Sequence, residues 1–102
     1  MKVFIAGPIS SRPDTYRDDF AEAEDLLEAQ GHVVFNPAEL PQDDSISQGQ
    51  YLGITFAMID ACDAVYMLSG WKNSAGAMKE YEYARLSDKY IADEEEGEYN
   101  VG

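Results

Sequence analysis

The residues best placed to do chemistry lie between 68 and 80, where Ser74, Gly76 and Glu80 follow a short apolar run ending at Leu68. A strand ending there and a helix beginning near Ser74 would turn backbone N–H groups, a hydroxyl and a carboxylate toward one end of a sheet. N–H groups with a hydroxyl make a cradle for a phosphate or a sugar hydroxyl. Glu80 is one to two turns into that helix and reaches the same space. A carboxylate so placed can attack an anomeric carbon, dividing glycosyl transfer into two displacements through a glycosyl-ester intermediate. An acid early in a helix also has a plainer use, complementing the helix dipole.

The elements that must position these residues follow from the start of the chain. Residues 1–6 are β-branched and aromatic, the pattern of a buried parallel strand, and Gly7-Pro8 end it. Residues 9–14 make a polar loop with hydroxyls and Arg12, a composition suited to a ligand loop or a surface turn. Tyr16, Phe20, Ala23, Leu26 and Leu27 recur at helical spacing over 15–30, and Gly31 is the expected stop. Residues 32–35 read as a second strand ended by Asn36-Pro37. The single histidine, His32, begins that strand, at the end of the sheet away from a ligand, which is a structural position. Residues 38–50 read as a loop of the lid or subunit-contact kind, and 51–61 as a well-buried helix. Asp60 and Asp63 punctuate the chain around Cys62 before a third strand at 64–68. A helix over 77–86 and one short strand at 89–92 complete the order β-α-β-loop-α-β-α-β. That alternation predicts a parallel sheet of about four strands covered on both faces. The domain occupies residues 1–92. Residues 93–102 form an acidic tail expected to fray or to pack on a partner subunit.

At 102 residues the chain builds one core, and its 45% hydrophobic content is that of a globular protein. The formal charge of -13 repels phosphate backbones and anionic lipid surfaces, which excludes a broad nucleic-acid or membrane face but not one small anion held locally. A single cysteine builds neither a disulfide framework nor a thiolate metal site. No targeting segment is evident, and no apolar run approaches the roughly 20 residues of a membrane span. A soluble cytoplasmic protein is expected, with no metal and no cofactor.

Four motifs carry a resemblance. They are residues 1–10 (MKVFIAGPIS), Asn36-Pro37-Ala38-Glu39, residues 62–71 (CDAVYMLSGW) and Ser74-x-Gly76-Ala77-x-x-Glu80. In this order they resemble an uncharacterised bacterial and phage branch of the nucleoside 2-deoxyribosyltransferase-like superfamily, over residues 1 to 92. The resemblance implies a small flavodoxin-like, three-layer α/β sandwich. It also implies a homo-oligomer in which a neighbouring subunit helps to close each site. By resemblance Glu80 is the nucleophile that attacks C1′ of a nucleoside or its 5′-monophosphate, and Ser74 and Gly76 hold the phosphate. Gly7, Pro8, Ile9, Ser10 and Arg12 would line the pocket, and Asn36, Trp71 and Asn73 would join them in binding substrate.

The chain departs from the characterised members at two places. An aspartate expected eight residues before Asp63 is Thr55, and the acid expected just before Ser74 is Asn73. Three readings follow: a nucleoside or nucleotide N-glycosidase or deoxyribosyltransferase, a non-catalytic nucleotide-binding or sequestering protein on the same fold, or an oligomeric interaction protein working through its acidic tail.

Overall fold

The run KVFIA is apolar at every position after Lys2, and in a computed structural model of the chain it forms strand β1 (Lys2–Ala6), buried from Val3 onward. The structure describes residues 1–95 and the backbone of 97–99. After β1 come α1 (Tyr16–Ala29), β2 (Val33–Phe35), a 3-10 turn at Pro37–Glu39 and α2 (Gln48–Asp60). Then follow β3 (Ala64–Met67), a second 3-10 turn at Trp71–Asn73, α3 (Ala75–Leu86), β4 (Tyr90–Asp93) and β5 (Gly97–Tyr99). The five strands lie in the order β2-β1-β3-β4-β5. The first four run parallel, giving the α/β class and four-stranded parallel sheet expected from the sequence, and β5 adds an antiparallel edge.

The crossovers decide which face each helix covers. The step from β1 to β2 goes one way along the sheet, whereas the steps to β3 and β4 go the other way, so right-handed connections put α1 on one face and α2 and α3 on the opposite one. Side chains alternate to match. Val3 and Ile5 of β1 join Tyr16, Phe20, Ala23 and Leu27 of α1. Phe4 and Ala6 join Val65 and Met67 of β3, Ile59 of α2, and Ala77 and Ala84 of α3. Each central strand is therefore apolar on both faces, which is why β1 reads as an unbroken hydrophobic run.

Two elements differ from their sequence readings. The helix expected to be well buried over 51–61 begins earlier, because Ser47 and Gln50 form a reciprocal capping box, and along its length only Thr55 and Ile59 are buried. Its apolar residues run all round it, so Gly53, Ile54 and Ala57 face outward. The segment read as an acidic tail from 93 is in part ordered structure. Asp93 ends β4, and Gly97–Tyr99 pair with β4 through the register Asp93↔Gly97 and Ile91↔Tyr99. The fraying expected at 96 and 100–102 lies outside the described residues. No helix among the described residues is long and apolar enough to cross a membrane.

The reversal of crossover direction falls between β1 and β3, and there the two chain exits pack tightly. A Cβ on Gly7 would lie 2.8 Å from Leu68 Cβ, an atom fixed to its own backbone. Gly7→Ala should therefore destabilise the fold by about 1–3 kcal/mol, the usual cost of overpacking. Urea denaturation checks this, and a variant as stable as the parent would show that the two exits move apart freely.

Candidate active site

Beyond the carboxyl ends of β1 and β3 lies a cleft of about 320 Å³. Its walls are the β1–α1 loop, the segment around Pro37 to Gln42, one face of α2, and the start of α3. This is the location that a reversal of crossover direction creates in an open α/β sheet.

The start of α3 is built locally. Gly70, at φ +85, is in the left-handed region that glycine tolerates, and it turns the chain into the 3-10 turn at Trp71–Asn73. Ser74 then caps α3, its hydroxyl accepting from Ala77 N–H at 3.2 Å. The N–H groups of Ala75 and Gly76 have no acceptor within the helix. Gly76 leaves room for the amide of Gln48, whose Nε2 a Cβ there would approach to 2.9 Å.

Glu80 lines the same cleft and is only 9% exposed. Burial pushes its carboxyl up to about 7, and a hydrogen bond from Thr55 works in the opposite direction. No neighbouring charge contributes to the shift. Thr55, 5% exposed, reaches Glu80 from α2, so two helices that pack on one face of the sheet meet at this carboxyl. The other ionisable side chains lining the cleft are Tyr51 and Lys79.

The structure brings together Gly7, Ile9, Ser10, Asn73, Ser74, Gly76 and Glu80 of the residues singled out in the sequence. Pro8, Arg12, Asn36 and Trp71 do not line the cleft. Arg12 pairs with Asp19 at 3.3 Å and lies against Gly70. Asn36 accepts from Ala38 N–H and donates to Glu24, which fixes the turn after β2. Trp71 is buried, stacks on Tyr81 with ring centroids 4.6 Å apart, and donates its indole N–H to Asp93 at 2.8 Å. His32 lies far from Glu80, its Nδ1 3.0 Å from the amino terminus. Asp60 accepts from the Tyr83 hydroxyl, and Asp63 from Lys2 N–H, so both sit outside the cleft.

Residues 1–93 match the protein family described as Domain of unknown function (DUF4406). The chain belongs to the DUF4406 family. Solved structures show what this DUF4406 chain is similar to in fold. A 2-deoxyribosyltransferase from Bacillus psychrosaccharolyticus aligns with a TM-score of 0.71 at 20% identity, over 91% of this chain and 71% of that one. The CMP N-glycosidase of Clostridium botulinum aligns at 0.65 and 22% identity, over 91% and 70%. A 2-deoxyribosyltransferase from Leishmania mexicana aligns at 0.69 and 21% identity, over 90% and 62%. No curated protein matches the sequence. The alignments establish the deoxyribosyltransferase fold for the DUF4406 chain.

On the face of α2, sequence reasoning singled out Thr55 alone and passed over Gln48, Tyr51 and Leu52. Gln48, Tyr51, Leu52 and Thr55 line the cleft together because they recur at helical spacing from a start at residue 48. The signal available was the capping box at Ser47 and Gln50, which sets that start. Tyr51 also fastens the preceding loop, its hydroxyl donating to the Pro41 carbonyl and accepting from Asp43 N–H.

A buried carboxyl raised from 4.5 to about 7 works against the fold when it ionises. The folded chain holds a proton that the unfolded chain releases between about pH 4.5 and about pH 7, so stability falls as pH rises through that window. The full shift corresponds to about 3 kcal/mol. Glu80→Gln should thus gain stability relative to the parent at about pH 8 and little at about pH 4.5. Urea denaturation at the two pH values measures the difference, and a gain independent of pH would contradict a buried, titrating Glu80.

Proposed function

We propose that this chain hydrolyses or transfers the N-glycosidic bond of a nucleoside or nucleoside 5′-monophosphate, with Glu80 as the nucleophile. The observation that carries the reading is the Glu80 carboxyl, desolvated at the floor of a cleft whose rim is the Ser74-capped start of α3. One carboxylate oxygen forms a bond to C1′ while the C1′–N bond breaks and its electron pair leaves with the base. Water, or a second base, then attacks C1′ and releases the carboxylate. Both displacements proceed without a cofactor. Ser74, Gly76 and the N–H groups of the first turn of α3 hold the 5′-phosphate or a sugar hydroxyl. The fold shared with two deoxyribosyltransferases and a CMP N-glycosidase supports the same chemistry.

The nucleophile is the ionised form, so kcat/KM should rise with pH through about 7 and level off above it. Incubation with a panel of deoxynucleosides, ribonucleosides and their 5′-monophosphates, followed by chromatography for free base, tests the activity. Turnover that is abolished in Glu80→Ala supports it. No turnover at high protein concentration, or turnover unaffected by the substitution, rejects it.

One observation favours a second reading, a protein that binds the nucleotide without cleaving it. Glu80 is the only carboxylate among the described residues that line the cleft, so no second carboxyl group stands ready to protonate the departing base. Calorimetric titration with the same panel separates the readings: binding without base release selects this one.

A second copy of the chain is the partner we infer. The outward face of α2 leaves Ile54 43% exposed beside Gly53 and Ala57, and a helix apolar all round is normally covered. Sedimentation should give a dimer or larger species that Ile54→Asp dissociates, and a monomeric parent would dismiss the inference.

A further inference from the structure

Among the described residues, α1 is the one helix on its face of the sheet, because β4 is followed by the antiparallel β5 and not by a further crossover. The β3 and β4 half of that face is therefore uncovered. Ala64 and Tyr66 of β3 stand on it, and the parallel register sets Tyr90 of β4 beside Ala64 and Ala92 beside Tyr66. Each tyrosine thus has an alanine as its cross-strand neighbour, so the two rings rise at diagonal corners above a floor of small side chains. The trough this leaves has a volume of about 520 Å³, the size of a small-molecule pocket, and Leu26 of α1 forms part of the opposite wall. Tyr90 is 54% exposed and Tyr66 is half-buried, so both rings are within reach of an occupant.

The two ends of the trough differ in charge. At the carboxyl end of β4 is Glu94, whose carboxylate is held in place by the Ser69 N–H at 2.9 Å and keeps lone pairs for a second partner. Burial, and after it the charges of Glu94 and Asp93, pushes the Tyr66 phenol up, so negative charge acts at that ring. At the amino end, about 10 Å away along β4, His32 Nδ1 and the chain's amino group bond to each other at 3.0 Å. Lysine and arginine are absent from the described lining.

We propose that this trough binds a small organic cation, a quaternary ammonium with an apolar body, over the Tyr66 and Tyr90 rings and with its charge toward Glu94. The face of a phenol ring attracts a cation, and most strongly where water is excluded. The methyl groups of the ammonium cover Ala64 and Ala92, apolar surface that the fold leaves open. A neutral occupant of the same shape would bury the Glu94 charge without compensation, and an anion would meet that charge directly. At a net charge of -13 the chain also draws cations toward its surface. The trough lies on the α1 face, whereas α2 and α3, which carry the cleft side chains Thr55 and Glu80, pack on the other. Cation binding here is therefore independent of the nucleoside chemistry.

Choline and its neutral isostere 3,3-dimethyl-1-butanol have nearly the same shape and differ in charge. Titrating each into the intact chain, with NMR of the tyrosine rings as the readout, isolates the contribution of the cation. Choline should shift the Tyr66 and Tyr90 signals saturably below about 10 mM and bind at least about fivefold more tightly than the isostere. Glu94→Gln keeps an acceptor for Ser69 and removes the charge, so it should weaken choline at least about threefold and leave the isostere unchanged. Tyr66→Leu and Tyr90→Leu should each weaken choline more than the isostere, and the exposed position 90 decides if the change at 66 prevents folding. Choline that does not saturate, equal affinities for the two compounds, or a Glu94→Gln variant that binds choline like the parent each overturn the proposal. Choline binding that leaves both tyrosines unmoved, or that is lost in Glu80→Gln, puts the cation elsewhere and also overturns it. Tyrosine signals that shift with protein concentration alone would assign the face to a second copy, with the same result.

Discussion

The two central strands, β1 and β3, are buried on both faces and lie side by side, yet the crossovers that leave and enter them run in opposite directions. The candidate site depends on that reversal. Neighbouring connections on the same face would close over the strand ends, whereas connections on opposite faces leave a space between them. Here the strand exits are pressed together at Gly7 and Leu68, so the opening is pushed outward, toward α2 and α3. The cleft is what the topology cannot fill, and a carboxyl at residue 80 is lowered into it by α3.

Charge distribution then sets which of the strand-end donors already have an acceptor within the chain. The turn after β3 has exposed donors at Ser69 and Gly70, but carboxylates of the chain itself already occupy them. Glu94 accepts from Ser69 N–H at 2.9 Å, and Glu95 accepts from Gly70 N–H at 3.1 Å and from the Ser69 hydroxyl. Asp93, 1% exposed, accepts from the Trp71 indole and from Glu95 N–H, which ties the whole turn to the end of β4. Among the described residues, no carboxylate accepts from the first-turn N–H groups of α3. In a chain of charge -13, local donors of this kind are the places where an anionic group can be held against the surrounding field. The acidic segment thus fills the cradle after β3 and braces Trp71, whose ring packs on Tyr81 next to Glu80.

The parts of this arrangement that the sequence made legible are those in which a local pattern and the tertiary role coincide. The apolar runs of β1 and β3 are read correctly because a strand buried on both faces has no polar alternation to obscure it. Ser74 and Gly76 are legible for a similar reason, since capping chemistry is local. Residues whose partners are distant in sequence were not legible in the same way. Trp71 and Arg12 have the chemistry of ligand contacts, yet their partners are Asp93 and Asp19, and spacing carries no information about those pairings. The acidic composition of 93–99 concealed a strand end and an edge strand, because hydrogen bonding to β4 outweighs a low β-propensity there. Helix α2 was misjudged in burial because hydrophobicity all round a helix does not say which side the fold covers, and within this chain only Thr55 and Ile59 of it are buried.

Position 55 brings these lines together, because an acid there and a hydroxyl there make different sites. Two carboxyls sharing a desolvated cleft force their titrations apart, one remaining charged while the other keeps its proton, and that division supplies an acid and a base. A single carboxyl beside a hydroxyl has no such division. Its titration is set by burial against one hydrogen bond, and it falls near neutrality. A buried group poised there is ionised in part of the population at any neutral pH, which suits a nucleophile that must form and release an ester. It does not suit a group that must also hand a proton to a leaving base in the same step. For the glycosidic cleavage proposed above, a single carboxyl at Glu80 would serve the covalent task, and the proton for the base would have to come from another group lining the cleft, such as Lys79, or from water or the substrate.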